Sequence, residues 1–104
     1  MEFQVLRKKA MSIRALYAEF EKQKYGKSWS SEEVALGFVG DVGDLVKLVM
    51  AENGYRDIPD SKKKLEHELA DCLWSLLVLA DLHDINLEEA FLDTMQDLEN
   101  HLTD

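Results

Sequence analysis

The stretches LGFVGDVGDLVKLV at residues 36–49 and LEHELADCLWSLLVLA at residues 65–80 decide the fold. Both have helical character and are apolar on nearly every side. Their charged residues are few: Asp41, Asp44 and Lys47 from Val34 to Ala51, and Asp71 and Asp81 from Leu69 to Leu82. A helix that is apolar nearly all round must be covered on all sides. Two further helices of one small chain cannot cover both, so we expect a homodimer or homotetramer in which these helices pack against their copies.

The flanking segments are helical as well. Five glycines and one proline in 104 residues are few helix breakers, which indicates an all-α protein. Capping boxes begin helices, and glycines end them. The sequence has such features at Ser30 with Glu33, Asn86 with Glu89, Gly26 and Gly54. We therefore predict one domain at residues 1–104, a four-helix bundle completed by dimerisation, with helices at about 2–25, 31–53, 61–83 and 87–101.

Composition excludes several classes of partner. The chain has 12 basic and 21 acidic residues and a formal charge of −9, whereas nucleic acids and anionic membranes require a basic surface. The longest apolar stretch, Leu69 to Leu82, is too short and too polar to span a bilayer, and the first residues lack the apolar region of a secretion signal. Cys72 is the single cysteine, so no intrachain disulfide forms and a reducing compartment is expected.

Two pairs of acids stand at i, i+3 spacing within the apolar helices: Asp41 with Asp44, and Glu68 with Asp71. This spacing places each pair on one helix face. Two carboxylates about 4 Å apart at an effective dielectric constant near 20 repel each other by about 4 kcal/mol. A cluster of four persists only if it is protonated, hydrated or bound to metal. Oxygen ligands favour Mg²⁺ or Mn²⁺, so all four acids are candidate metal ligands.

The chain lacks the motifs of two other kinds of site. No histidine has a glutamate three residues before it, which argues against a di-iron bundle. The glycines of GFVGDVGD do not match a dinucleotide-binding fingerprint. Gly37, Gly40 and Gly43 indicate either close helix packing or space for a ligand beside the acids, and both interpretations stay open.

The motifs LGFVGDVGDLVKLV at 36–49 and LEHELADCLWSLLVLADLHDINLEEAF at 65–91 resemble the MazG-like all-α nucleoside triphosphate pyrophosphohydrolases, most closely the branch with the dCTP pyrophosphatases. That family carries Glu-x-x-Glu on one helix and Glu-x-x-Asp on the next. The resemblance implies cytoplasmic, house-cleaning hydrolysis of an NTP or dNTP to a monophosphate and pyrophosphate. It also implies Mg²⁺, or Mn²⁺, on the four acids. We expect Glu68 to accept the proton of the attacking water.

This chain departs from the family pattern in ways that affect the substrate. Both acids of the first motif are aspartates, and Thr94 and Leu98 stand where the family tends to carry a phosphate-contacting Lys and Asn. Phosphate contacts would then come from Lys47, Arg56 or the lysines at 62–64. The alternative function is a catalytically degenerate MazG-like helical module that binds a nucleotide or a partner protein.

Two tryptophans have different expected roles. By the resemblance, Trp29 is a platform for a nucleobase, whereas its position just before a helix equally suits a residue that packs the first helix on the second. Trp74 lies in the apolar stretch of the third helix and is expected in the core or at an interface between chains.

Overall fold

The computed structural model describes residues 2–103, which contain four α-helices and no β-strand. They are α1 (Phe3–Tyr25), α2 (Ser31–Glu52), α3 (Ser61–Leu82) and α4 (Leu87–Thr103). The prediction of an all-α chain with four helices is confirmed, and each helix end lies within about two residues of its expected position, the usual spread between assignments. No helix in this range is long and apolar enough to cross a membrane.

Local sequence features account for the starts of α2 and α4 and for the end of α1. Ser30 and Glu33 form the full capping box at the start of α2, because each side chain accepts a hydrogen bond from the other residue's backbone N–H. At α4, Asn86 accepts a hydrogen bond from the N–H of Glu89 at 3.1 Å, which is one half of the expected box. Gly26 ends α1 in the left-handed region, with a φ of 82°, which a residue with a Cβ adopts only under strain.

Helices α2 and α3 form an antiparallel pair, and α1 packs along α3. The hydroxyl of Ser61 at the start of α3 donates to Glu52 at the end of α2, while Gly37 near the start of α2 shares a cleft with Trp74 of α3. Trp74 also ties α3 to α1, because its indole N–H donates to the carbonyl of Ala10 at 3.2 Å. The buried apolar residues of these three helices are Ala10, Val34, Leu48, Cys72, Leu77, Val78 and Ala80.

Much apolar surface remains open in the single chain. Helix α4 buries none of its residues. The surface of the chain is 7,932 Å², whereas a folded monomer of 11.9 kDa exposes about 6,000 Å². Its radius of gyration is 16.6 Å, against about 13 Å for a compact domain of this length. The largest exposed apolar side chains include Leu36, Val39, Val46 and Met50 on α2, Leu69, Leu73 and Leu76 on α3, and Phe91, Met95, Leu98 and Leu102 on α4.

We expect Val78→Ala to lower the free energy of unfolding by about 2 kcal/mol, because it deletes methyl groups from a site with no exposed surface and leaves a cavity. Val5→Ala on α1 is the matched control, since Val5 is 51% exposed, and its effect should stay within about 0.5 kcal/mol. Urea unfolding of both variants measures the difference. Equal losses would contradict the core assigned to α3.

Candidate metal centre

Three of the four predicted acids meet at the contact between α2 and α3. One carboxylate oxygen from each of Asp41, Asp44 and Glu68 lies within 4.8 Å of the other two. The i, i+3 spacing brings the two aspartates to one face of α2, and antiparallel packing brings Glu68 of α3 opposite them. We call these three residues the acid cluster.

The cluster is held in an electrostatically unfavourable state. Burial, and then the negative charges of Asp71 and Asp44, raise the pKa of Asp41. Burial, and then the charges of Asp41, Asp71 and Asp44, raise the pKa of Glu68. Oε2 of Glu68 is buried and has no hydrogen-bond partner among the described residues. The site therefore offers negative charge and an unused oxygen that a cation would satisfy.

Asp71, the fourth predicted ligand, lies beside the cluster and makes a different contact. Its Oδ2 is 3.1 Å from Nε2 of His67, one helical turn earlier on α3. Its carboxylate does not belong to the group of three converging oxygens, although its charge contributes to the raised pKa of Asp41. The structure thus brings three predicted ligands together and places the fourth next to them.

An aromatic cleft of about 500 Å³ opens on one side of the cluster. Asp41 and Asp71 line it from the cluster side, and Trp29 lines it from the connection between α1 and α2. The rings of Tyr17 and Trp74 meet in it with centroids 5.7 Å apart. The aromatic residues that line this cleft are Tyr17, Phe20, Tyr25, Trp29 and Trp74.

A second cleft, of about 470 Å³, borders the cluster through Asp44 and Glu68. We call it the lysine cleft, because its basic residues are Lys47, Lys63, Lys64 and His67. Lys47, Lys63 and Lys64, which were expected to contact phosphate, line this cleft. The other expected phosphate contacts, Arg56 on the connection 53–60 and Lys62 at the start of α3, are exposed and line neither cleft.

Some cleft residues carried no clear signal in the sequence. Tyr17 and Phe20 belong to the apolar stripe of α1, yet they are 52% and 56% exposed and face the aromatic cleft. Arg14 and Glu21 are buried on α1, whereas charged residues on a surface helix usually face solvent. Trp74 is half-buried and forms a wall of the aromatic cleft as well as a contact to α1.

The cluster suits a hard divalent cation. Its donors are all carboxylate oxygens, the set preferred by Mg²⁺ and Mn²⁺, and one of them is buried without a partner. Asp41, Asp44 and Glu68 would hold such an ion. Sγ of Cys72 does not belong to the group of converging ligand atoms, and burial, and then the charges of Asp41 and Glu68, raise the pKa of its thiol.

Comparison with known proteins identifies one related family. The family model of the MazG nucleotide pyrophosphohydrolase domain matches residues 30–101. This range is more than half of the chain and includes all four candidate metal ligands, Asp41, Asp44, Glu68 and Asp71. No curated protein and no solved structure matches the chain.

We expect millimolar Mg²⁺ or Mn²⁺ to raise the melting temperature of the wild type by about 10 °C, since a ligand at about 100 times its Kd adds about 2.7 kcal/mol. Asp41→Asn should abolish this shift, yet leave the metal-free protein equally or more stable, because one repelling charge is gone. Asp93→Asn on α4 is the control and should keep the shift. Differential scanning calorimetry measures all three.

The metal effect should also depend on pH with a defined sign. The pKa values of Asp41 and Glu68 are raised in the folded chain, so folding holds their protons more tightly. Their ionisation therefore destabilises the metal-free protein above the folded pKa values, and acid relieves that cost. Protons compete with metal, so the shift should be larger at about pH 7.5 than at about pH 5. A wild type without any metal shift, together with a destabilised Asp41→Asn, would make the acids structural.

Proposed function

Because the chain belongs to the MazG nucleotide pyrophosphohydrolase family, we propose that it hydrolyses a nucleoside triphosphate, an NTP or dNTP, to a monophosphate and pyrophosphate in the presence of Mg²⁺ or Mn²⁺. One observation carries the proposal. The acid cluster lies between a cleft lined by aromatic rings and a cleft lined by lysines. A nucleotide needs the same order of environments: a stacking surface for the base, a cation, and positive charge for the phosphates.

The aromatic cleft supports a nucleobase site with Trp29 as its platform. Trp29 is 44% exposed and lines the cleft that contains Asp41, whereas a residue that only packed α1 on α2 would be buried. Aromatic rings bind bases through their faces with little dependence on sequence. We therefore assign the base to this cleft. Its aromatic walls suit any nucleobase, so they do not favour dCTP, the substrate of the dCTP pyrophosphatase-like branch, over other nucleotides.

The lysine cleft supports phosphate binding by residues other than those typical of the family. Lys47, Lys63 and Lys64 line it together with two members of the acid cluster. Their ammonium groups offset negative charge in a chain with a net charge of −9. We assign the β and γ phosphates to these lysines. Arg56 remains part of the proposal as a further phosphate contact, although it lines neither cleft.

The proposed reaction forms one bond and breaks one. The oxygen of a water molecule bonds to the α phosphorus, the bond from that phosphorus to the α–β bridging oxygen breaks, and pyrophosphate leaves. A bound divalent cation would neutralise phosphate charge and make the water more acidic. We assign the proton of the water to Glu68: one oxygen of its carboxylate would hold the cation with Asp41 and Asp44, and the other would accept the proton. We include Asp71 as a fourth metal ligand, because its charge already acts on Asp41.

The cell compartment and the role follow from the same proposal. We place the reaction in the cytoplasm, on the expectation that a chain whose sequence has the single cysteine Cys72 works in a reducing compartment. Removal of unwanted nucleotides there is the house-cleaning role that we propose.

A catalytically degenerate module that binds a nucleotide or a partner protein is the second candidate. The exposed Thr94 and Leu98 favour it, because neither can supply the charge of the family's phosphate-contacting residues. The acid cluster opposes it, since three converging carboxylates destabilise a chain that no longer needs them.

A pyrophosphate-release screen over the common NTPs and dNTPs, with Mg²⁺ or Mn²⁺, separates the two functions. We expect hydrolysis by the wild type, and a decrease in kcat of about a hundredfold or more in Glu68→Gln, because the proton acceptor is lost. Glu66→Gln is the matched control, since Glu66 is exposed and lines neither cleft, and it should keep full activity. Nucleotide binding without any pyrophosphate release would support the degenerate module.

We also propose that the chain forms a homodimer or homotetramer. The excess surface of about 2,000 Å² over a compact monomer equals the area that each chain buries in a large obligate interface. A Cβ added at Gly40 or Gly43 would meet nothing within 4 Å, so no helix of this chain packs on that part of α2. The exposed apolar residues Leu36, Val39, Val46 and Met50 lie along the same face.

Light scattering should therefore give two or four times the chain mass of 11.9 kDa. Val46→Lys should shift the protein toward monomer, because it places a charge in the proposed interface. Val5→Lys, at the start of α1, is the matched control and should leave the mass unchanged. A stable, monodisperse wild-type monomer would contradict the proposal.

A further inference from the structure

A buried ion pair on α1 holds the backbone of Trp29 from both sides. Arg14 and Glu21 lie two helical turns apart, each side chain 10% exposed, and Nη1 of Arg14 is 3.3 Å from Oε1 of Glu21. The same Oε1 accepts a hydrogen bond from the N–H of Trp29 at 2.8 Å. Nη2 of Arg14 donates to the carbonyl of Trp29 at 2.5 Å. We call Arg14 and Glu21 the Trp29 clamp.

This arrangement exceeds what the connection between α1 and α2 needs. Trp29 lies in a surface connection, residues 26–30, where water could satisfy its backbone N–H and carbonyl. Burying two charges carries a desolvation cost, and a pair of apolar residues often stabilises a fold equally well. The clamp instead fixes the position and direction of one residue, because it binds both backbone groups of that residue.

The ring of Trp29 is held at the aromatic cleft as a result. Its Cζ3 lies 3.5 Å from the position that a Cβ would take at Gly37, so the ring rests along α2. Arg14 and Glu21 line the same cleft, beside Tyr17 and Trp74. Two backbone hydrogen bonds and one ring contact thus join α1 to the start of α2 at the proposed base site.

We propose that Arg14 and Glu21 are positioning residues that preorganise Trp29 for stacking on a nucleobase. The inference rests on the proposed function, because it assigns the clamp to substrate binding. The clamp acts through Trp29 and is not itself assigned to the reacting atoms. Preorganisation lowers the cost of ordering the ring when the nucleotide binds, so its loss weakens binding more than it slows the chemical step.

The test variant is Arg14→Met/Glu21→Met, which removes both charges and keeps apolar bulk, so that no unpaired charge is buried. The matched control is Arg7→Met/Asp81→Met. It removes an ion pair between α1 and α3 that lines neither the aromatic cleft nor the acid cluster. Both are made in a Trp74→Phe background, so that Trp29 is the only tryptophan.

The first measurement needs no nucleotide. Acrylamide quenching of Trp29 should become more efficient and its fluorescence anisotropy should fall in the clamp variant, whereas both stay at the background value in the control. The single variant Glu21→Gln, in the same Trp74→Phe background, should keep quenching and anisotropy close to the background values, because its amide oxygen still accepts the hydrogen bond from the N–H of Trp29. If circular dichroism shows that the double variant does not fold, Arg14→Lys takes its place, since lysine cannot bind Glu21 and the Trp29 carbonyl as a fork.

The second measurement uses the nucleotide that the wild type hydrolyses. KM should rise about tenfold in the clamp variant, the order expected for a lost stacking contact, with little change in kcat. Unchanged quenching and KM in a folded clamp variant would overturn the proposal. If the wild type neither hydrolyses nor binds any nucleotide, both the proposed function and the substrate role of the clamp are wrong. The quenching result still decides whether Arg14 and Glu21 hold Trp29 in place.

Discussion

The repulsion between like charges at the contact of α2 and α3 is the constraint on which the rest of the structure depends. Apolar packing by residues such as Leu48 and Cys72 holds the two helices together, and this brings Asp41, Asp44 and Glu68 within 4.8 Å of one another. Burial, and then the negative charges of the neighbouring carboxylates, raise the pKa of Asp41 and of Glu68. Apolar packing between α2 and α3 thus offsets the repulsion of a site that is unfavourable without a cation. Proteins commonly keep such locally unfavourable arrangements at functional sites.

The cluster also organises the space around it. The two aspartates of α2 lie three residues apart, almost one helical turn. Asp41 therefore borders the aromatic cleft and Asp44 borders the lysine cleft. A ligand that spans both clefts must therefore pass the carboxylates, and only a cation makes that passage favourable for phosphate groups. This geometry links the base site, the metal centre and the phosphate site of the proposed function along one path.

The spacing of acids within apolar helices was enough to predict that Asp41, Asp44 and Glu68 lie together, but not that Asp71 pairs with His67. Capping residues predicted the starts of α2 and α4 and the end of α1, whereas α1 and α3 begin without a side-chain cap. The clamp could not be found in this way, because Arg14 and Glu21 are seven residues apart on a helix that carries many exposed charges. Their burial depends on how the connection 26–30 folds back over α1. Tyr17 and Phe20 fit a core stripe equally well, since helical periodicity defines an apolar face and not what covers it. The contact between His67 and Asp71 was not predicted, although its i, i+4 spacing can be read from the sequence.

Helix α4 relates the departures from the family to the proposed assembly. Leu98 stands where the family tends to carry a polar phosphate contact, and it lies at helical spacing with Phe91, Met95 and Leu102 on an exposed apolar face. A face of this kind suits a neighbouring helix and not a triphosphate. With phosphate binding assigned to Lys47, Lys63 and Lys64 on α2 and α3, α4 is free to serve self-association. The same substitution that argues for a degenerate module is therefore explained equally by a division of tasks, in which the facing sides of α2 and α3 would bind the nucleotide, and the apolar face of α4 would join the outer face of α2 in the proposed self-association.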